Sequence, residues 1–314
     1  MSETQSHISF VLDGKRKDLN ISDFTELTPT TTVLNFLRSL PHHKGVKEGC
    51  AEGDCGACTI VIAEPNSENK LTYKAVDSCL VFLPMIHGKQ IITVENLARK
   101  NGHEVLLHPV QKAMVDKYGS QCGYCTPGFI MSMFALFKNH SNPSKEIIED
   151  ALTGNLCRCT GYRPIIDAAL EACSFDGKDH FSETEAEIAK LLISIINEAK
   201  PLLIKKGEQT YFKPKTLKET VQLRFDNTKA IITNGSTDIA LRQTKKHELL
   251  REIIDISGVE ELKFFKETEN EWIFGSGLCM QSVLKLTENR FCALNKMLKV
   301  FGSLQIRNLA TIGG

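Results

Sequence analysis

The sequence predicts an α+β protein in three parts, and three observations predict it. Short alternating or apolar runs bounded by turn residues fill the first ~95 positions. Helical patterns opened by proline follow over residues 108–172. From Tyr211 strand and helix signals mix again. The divisions are 1–95, 96–173, a linker with a helix at 174–205, and 206–314.

The elements justify this in order. Residues 7–12 alternate, Asp13-Gly14 follows, and residues 17–21 resume, which reads as a hairpin turned at Asp-Gly. Thr32 opens a helix with Val33, Leu34, Phe36, Leu37 and Leu40 on one face, and Pro41 stops it. Residues 59–63, 72–76 and 90–94 read as short strands. In the second part Pro109 starts one helix and Thr126-Pro127 another, because proline suits the first helical turn. Residues 128–137 are apolar on every side, so that helix is buried. Asn142-Pro143 opens a third helix to Leu152, and Arg163-Pro164 a fourth to Ala172. The polar residues 174–185, with Gly177, begin a linker, and an amphipathic helix follows to about Ala199. Thr311-Ile312-Gly313-Gly314 has no helix cap or polar tail and reads as a cut inside a domain.

Composition narrows the chemistry. Lys plus Arg and Asp plus Glu are both 38, and this zero net charge argues against nucleic acid or an anionic membrane as the main partner. The N-terminus lacks a basic stretch and apolar run, and residues 80–86 and 129–137 are well short of the ~18 residues of a membrane span. A cytoplasmic protein is expected. Its 11 cysteines are an odd count without a signal peptide, which points to reduced thiols that bind metal.

Eight of them form two sets. Cys50, Cys55 and Cys58 make C-x4-C-x2-C, with Cys79 further on, and this is the ligand spacing of plant-type [2Fe–2S] ferredoxins. Gly49, Gly53 and Gly56 let the loop turn sharply and aim N–H groups at sulfur. Zinc is the rival, but structural zinc sites usually use two C-x2-C-like knuckles. Cys122 and Cys125 make C-x2-C between two helices, and Cys157 and Cys159 make C-x-C between two more. Alone, this second set serves zinc or iron–sulfur equally; beside the first it favours iron–sulfur. Two such clusters in one chain form a relay.

Other features read as ordinary. Gly235-Ser236-Thr237 offers N–H groups and hydroxyls to a diphosphate, or is a plain turn. Gly275-Ser276-Gly277 lacks a dinucleotide fingerprint and is a turn. Cys173, Cys279 and Cys292 are isolated and expected in cores. His42-His43 follows a proline and is expected in solvent, and Glu183, Glu185 and Glu187 on a wet helix face. No Ser-His-Asp or Walker pattern appears.

A resemblance adds to these readings. Residues 49–59, Gln121-Cys122-Gly123-Tyr124-Cys125-Thr126-Pro127-Gly128 and residues 154–164 resemble the iron–sulfur region of the molybdenum hydroxylases. That family includes xanthine dehydrogenase, aldehyde oxidase and aerobic carbon monoxide dehydrogenase. The resemblance implies a β-grasp ferredoxin-like domain, an all-α four-helix [2Fe–2S] domain, and the N-terminal part of an FAD-binding domain. Ile232, Thr233, Asn234, Gly235, Ser236, Thr237, Asp238 and Ile239 resemble the family's flavin pyrophosphate loop. Residues 301–314 resemble its second flavin-contacting segment, with Phe301, Thr311 and Gly314 as contacts. Thr233-Asn234 stands where relatives usually carry apolar residues, and Ala240 where Gly is common. The fusion resembles the small subunit of bacterial xanthine dehydrogenase.

The implied scheme places a molybdenum cofactor on a large molybdopterin-binding partner, in a heterodimer or dimer of heterodimers. There hypoxanthine or xanthine is oxidised to urate. Electrons then pass through the Cys122/Cys125/Cys157/Cys159 cluster and the Cys50/Cys55/Cys58/Cys79 cluster to FAD and NAD. Gln121 matches a family position that contacts the pterin.

Overall fold

A computed structural model describes residues 3–102 and 104–314. The first part opens with β1 (His7–Leu12) and β2 (Lys15–Asn20), an antiparallel hairpin whose turn residues Asp13 and Gly14 have φ of 56° and 69°. α1 (Val33–Ser39) begins where the Thr32 hydroxyl accepts the Asn35 N–H, the expected cap. β3 (Thr59–Pro65), β4 (Leu71–Asp77) and β5 (Gln90–Ile92) complete a five-stranded sheet of order β2-β1-β5-β3-β4. Only β1 and β5 pair in parallel; β3 is antiparallel to both β5 and β4. Val33, Leu34, Phe36 and Leu37 of α1 share a core with Ile8, Phe10, Ile60 and Ile91.

A short hairpin, β6 (Arg99–Asn101) and β7 (Glu104–Leu106), precedes the helices. Strands of three residues are too brief to show a period, so the sequence pattern omits them. Four helices follow: α2 (Pro109–Asp116), α3 (Thr126–Asn139), α4 (Lys145–Leu152) and α5 (Arg163–Cys173). α3 is buried from Gly128 to Leu136, as its all-round apolar pattern predicts. α4 starts later than Asn142-Pro143 suggests. Ser144 caps it by accepting the Ile147 N–H, while Asn142, at φ 50°, belongs to the preceding turn.

The segment expected to link the halves is firmly anchored. α6 (His180–Glu198) buries Phe181, Ile188, Ala189, Leu192 and Ile195 in the core of the four helices. Its cap, Asp179, is buried and accepts from Ser182 Oγ at 2.6 Å, Lys138 Nζ at 2.9 Å and His108 Nε2 at 3.0 Å. Burial alone would raise this carboxyl, but His108, Ser182 and Lys138 hold it well below the usual range.

The third part contains β8 (Leu202–Lys206), β9 (Gln209–Lys213), α7 (Leu217–Asp226), β10 (Ile231–Thr233), α8 (Ile239–Thr244) and β11 (Glu252–Asp255). Its sheet has the order β10-β11-β9-β8, with β8 and β9 antiparallel and the rest parallel. A hairpin, β12 (Phe265–Glu267) and β13 (Trp272–Phe274), then leads to α9 (Met280–Thr287), α10 (Cys292–Lys299) and α11 (Leu304–Arg307). Leu202, Ile204, Tyr211 and Ile253 join the core of the first sheet, so apolar packing runs across both regions.

Three expectations need correction. His42 is exposed as expected, but His43 is buried, with Nδ1 3.1 Å from Thr93 Oγ1 and Nε2 3.3 Å from Asp13 Oδ2, which draw it inward. Glu185 accepts the Leu71 N–H at 3.1 Å and so helps fix α6 to the sheet. Cys292, at the start of α10, is exposed, whereas Cys173 is buried.

Candidate iron–sulfur and flavin sites

The loop between α1 and β3 carries Cys50, Cys55 and Cys58 and folds back on itself at Ala51, Gly53 and Gly56, which have φ of 57°, 82° and 66°. A Cβ on Gly56 would also lie 2.3 Å from the Gly154 oxygen, so only glycine fits there. The amides of Asp54 and Glu52 donate to Cys50 Sγ at 3.3 and 3.4 Å. Cys79, just after β4, brings its sulfur within 3.4 Å of Cys58 Sγ. The Cys55 thiol donates to Cys50 and holds it down to about 5 despite burial, with the Glu52 and Asp54 amides adding to the effect. Cys58 is pushed well up, first by Cys79 and then by burial.

Asp77 was missed in the sequence. Its carboxyl is buried, lies 3.6 Å from Cys58 Sγ, and leaves Oδ2 without a partner among the described residues. Burial pushes it up to about 8. The only available signal was its position two residues before Cys79.

In the second set, Cys122 and Cys125 lie between α2 and α3, and Cys157 and Cys159 between α4 and α5. Side-chain hydrogen bonds pair Cys125 with Cys157 and Cys122 with Cys159. Burial, then Cys157, pushes Cys125 up to about 12. Burial would raise Cys157 too, but the Thr160 hydroxyl and the Cys159 and Thr160 amides hold it down to about 7. Tyr162, at φ 68°, places its hydroxyl to accept the Cys157 N–H at 3.0 Å. Cys122 and Cys159 are exposed, as is Gln121.

Cys58 and Cys79 meet directly, and electrostatic coupling links Cys50 with Cys55, Cys125 with Cys157 and Cys122 with Cys159. Pairing of this kind fits a centre of two irons, in which each metal takes two of four thiolates. The N–H groups aimed at Cys50 and Cys157 suit thiolates.

The two sets are joined. The Leu156 N–H donates to the Cys55 carbonyl at 3.0 Å. Asn155 Nδ2 donates to the Gly56 carbonyl at 3.0 Å and Thr59 Oγ1 at 3.1 Å, while its Oδ1 accepts from Ser132 and Gln305. A Cβ on Gly128 would come 2.1 Å from the Gly56 oxygen, so α3 starts directly against the first loop.

The two segments with flavin resemblance also meet. A Cβ on Gly235 would fall 1.8 Å from the Leu309 oxygen, so the loop at residues 232–239 packs on the backbone of residues 301–314. Thr233, Asn234 and Ser236 are buried, and Thr233 Oγ1 has no partner among the described residues. An orphaned hydroxyl beside a glycine turn suits a ligand rich in oxygen. Ile232, Asp238, Phe301 and Gly314 are exposed, with Thr237, Ile239 and Thr311 half-buried. Ser236 Oγ donates to the Leu80 carbonyl, next to Cys79. Gln305 and Arg307 were not singled out, yet both are fully buried and turned toward the second part, Arg307 clamping Asp150 through two 2.7 Å bonds.

Known proteins resemble the chain in two segments. Residues 93–170 match the family described as [2Fe–2S] binding domain, and residues 205–314 match FAD binding domain in molybdopterin dehydrogenase. The chain thus carries a [2Fe–2S] binding domain and an FAD-binding domain of the kind found in molybdopterin dehydrogenase. It is 32% identical to xanthine dehydrogenase of Drosophila pseudoobscura pseudoobscura, over 98% of this chain and 26% of that protein. It is 31% identical to aldehyde oxidase 1 of Cavia porcellus, again over 98% and 26%. It therefore spans about a quarter of the length of these curated relatives. Among solved structures, quinoline 2-oxidoreductase from Pseudomonas putida 86 is similar at 29% identity and a TM-score of 0.44, over 59% of this chain and 96% of that one. Among the described residues, no helix is long and apolar enough to cross a membrane.

Proposed function

We propose that this chain is the electron-transfer portion of a molybdenum hydroxylase, and most specifically of a xanthine dehydrogenase whose molybdenum cofactor sits on a large partner chain. The observation that carries the reading is the order of the sites. Cys122 and Cys159 are exposed at one end, the Leu156–Cys55 hydrogen bond joins the second set to the first, and Ser236 joins the first set to the loop with flavin resemblance. In this reading Cys122, Cys125, Cys157 and Cys159 hold one cluster, and Cys50, Cys55, Cys58 and Cys79 the other. The loop at Ile232–Ile239 and the segment from Phe301 hold FAD. When bound, the clusters supply one-electron relay sites, and the flavin links them to a two-electron acceptor such as NAD.

The chain's own residues supply position and environment. The Glu52 and Asp54 amides steady charge on Cys50, and the Cys159 amide steadies Cys157. Asn155 keeps the two loops at fixed separation, and Leu80 and Ile306 pack against Gly53 of the first loop. In this reading Gln121, which is exposed beside Cys122, contacts the partner's pterin, as the family resemblance implies.

An aldehyde is the second reading for the substrate, because aldehyde oxidases stand among the relatives at similar identity. The full-length protein combined with its large partner decides between them. Xanthine-dependent NADH formation is expected. Turnover of aldehydes alone, with oxygen as acceptor, would select the second reading, and no turnover of either would sink both.

A further inference from the structure

The loop that carries Cys50, Cys55 and Cys58 is acidic in its own sequence. From 48 to 54 it holds Glu48, Glu52 and Asp54 and no basic residue. A cation reaches it from the third part. Lys245 follows α8, the helix that leaves the loop with flavin resemblance, and its main-chain N–H closes that helix by donating to the Leu241 carbonyl at 3.0 Å. Its Nζ donates to the Cys50 carbonyl at 3.1 Å and lies 3.2 Å from Glu52 Oε2. Both partners are tied to the Cys50 sulfur. The carbonyl belongs to the same residue, and the Glu52 N–H donates to Cys50 Sγ at 3.4 Å.

Stability does not account for this contact. The Lys245 and Glu52 side chains are 43% and 37% exposed, and ion pairs so open to water add little to folding. Apolar packing already fixes the third part to the first, with Ile306 against Gly53 and Leu202, Ile204 and Tyr211 in the shared core. What the ammonium adds is a positive charge over one cysteine of the first set. One electron entering a two-iron centre adds one negative charge to it, and nearby charges help to set its potential. At a spacing of several ångströms beside a partly buried site, a unit charge changes such an equilibrium by about tenfold. A cation favours the reduced state and a carboxylate opposes it. Lys245 and Glu52 therefore act with opposite signs on the same sulfur.

We propose that Lys245 raises the reduction potential of the cluster held by Cys50, Cys55, Cys58 and Cys79, and that Glu52 lowers it. The inference rests on the reading of those cysteines as cluster ligands. Lys245 acts through Cys50, so it is a positioning residue for the relay. A higher potential at the first set draws the electron on from the second set toward the loop with flavin resemblance, and the part of the chain that carries this loop supplies the charge.

A redox titration of the full-length, cluster-loaded protein tests it. Dithionite supplies one electron per cluster, and the paramagnetic resonance signal of each reduced cluster is followed against potential. Lys245→Met should lower the midpoint of one signal by about tenfold in the one-electron equilibrium, ~59 mV, and leave the other in place. Glu52→Gln should move the same signal upward. Lys245→Arg, which keeps the charge, should hold it near the wild-type value. An unchanged urea midpoint shows that the variants keep their fold. Cys55→Ala identifies the signal, since it should remove the one that Lys245→Met displaces. Shifts of the same sign in Lys245→Met and Glu52→Gln, or no shift in either, would mean a purely structural contact and overturn the proposal. Loss of neither signal in Cys55→Ala would overturn the ligand reading and the proposal with it. Loss of a signal that Lys245→Met leaves unmoved would overturn the proposal alone.

Discussion

The two cysteine sets differ in how much of this chain closes over them. Cys58 and Cys79 are buried, Cys50 and Cys55 half-covered, and the third part packs on their loop through Ile306 and Lys245. In the second set only Cys157 is buried, while Cys122 and Cys159 lie exposed beside Tyr124 and Leu156, 48% and 47% exposed. A site closed by its own chain can hold a cofactor unaided. One left open with apolar neighbours is finished by something else, and in the proposed assembly that is the large partner.

The sharpest way to break this comparison is to remove one set. Cys125→Ala should abolish the second cluster and spare the first, so that one of two paramagnetic resonance signals of the reduced protein disappears. Loss of both would mean that the sites do not assemble separately. Next in size is a difference in rate. An iron chelator added to the isolated chain should strip the open site at least about tenfold faster, since accessibility governs thiolate exchange. Adding the large partner should close that gap; equal rates without it would erase the distinction.

A smaller effect tests the seam between the sets. Gly128→Ala forces a Cβ against the Gly56 carbonyl and should cost about 1–3 kcal/mol, measured by urea unfolding. A neutral result would mean that the two loops are not in contact. The smallest concerns His87, outside both sets. Burial, with Lys213 next, depresses it to about 3 from a normal 6.5. The unfolded chain takes up this proton first, so stability is full above pH ~6.5 and falls as pH drops, by at most about 1.4 kcal/mol per unit. His87→Gln should flatten that slope between pH 7 and 5.5. An unchanged slope would place the proton uptake elsewhere.

Legibility in the sequence followed the length of the signal. The Asp13-Gly14 turn, the Thr32 cap and the all-apolar α3 were readable because each is fixed by neighbours in sequence. The cysteine spacing was readable for the same reason, since a loop must place its thiols by its own turns. His43, Asp77, Gln305 and Arg307 were not, because their partners lie 19 to 173 positions away. Polar residues without a local role look like surface in a sequence. Only the assembled fold supplies Asp150 to Arg307 or Asp13 to His43. The helix expected after residue 174 is present, but its anchoring was not legible: Asp179 looks like a loop residue until His108 and Lys138 arrive from elsewhere in the chain.

The bond from the Leu156 N–H to the Cys55 carbonyl is main chain on both sides. Nineteen of the twenty amino acids would supply the same donor at position 156, and proline alone would not. Inheritance can therefore rewrite the side chains around both cysteine loops without cutting the tie between them. Descendants of this sequence are free to alter what each site prefers while keeping the two sites in register, a separation of adjustable parts from a fixed joint.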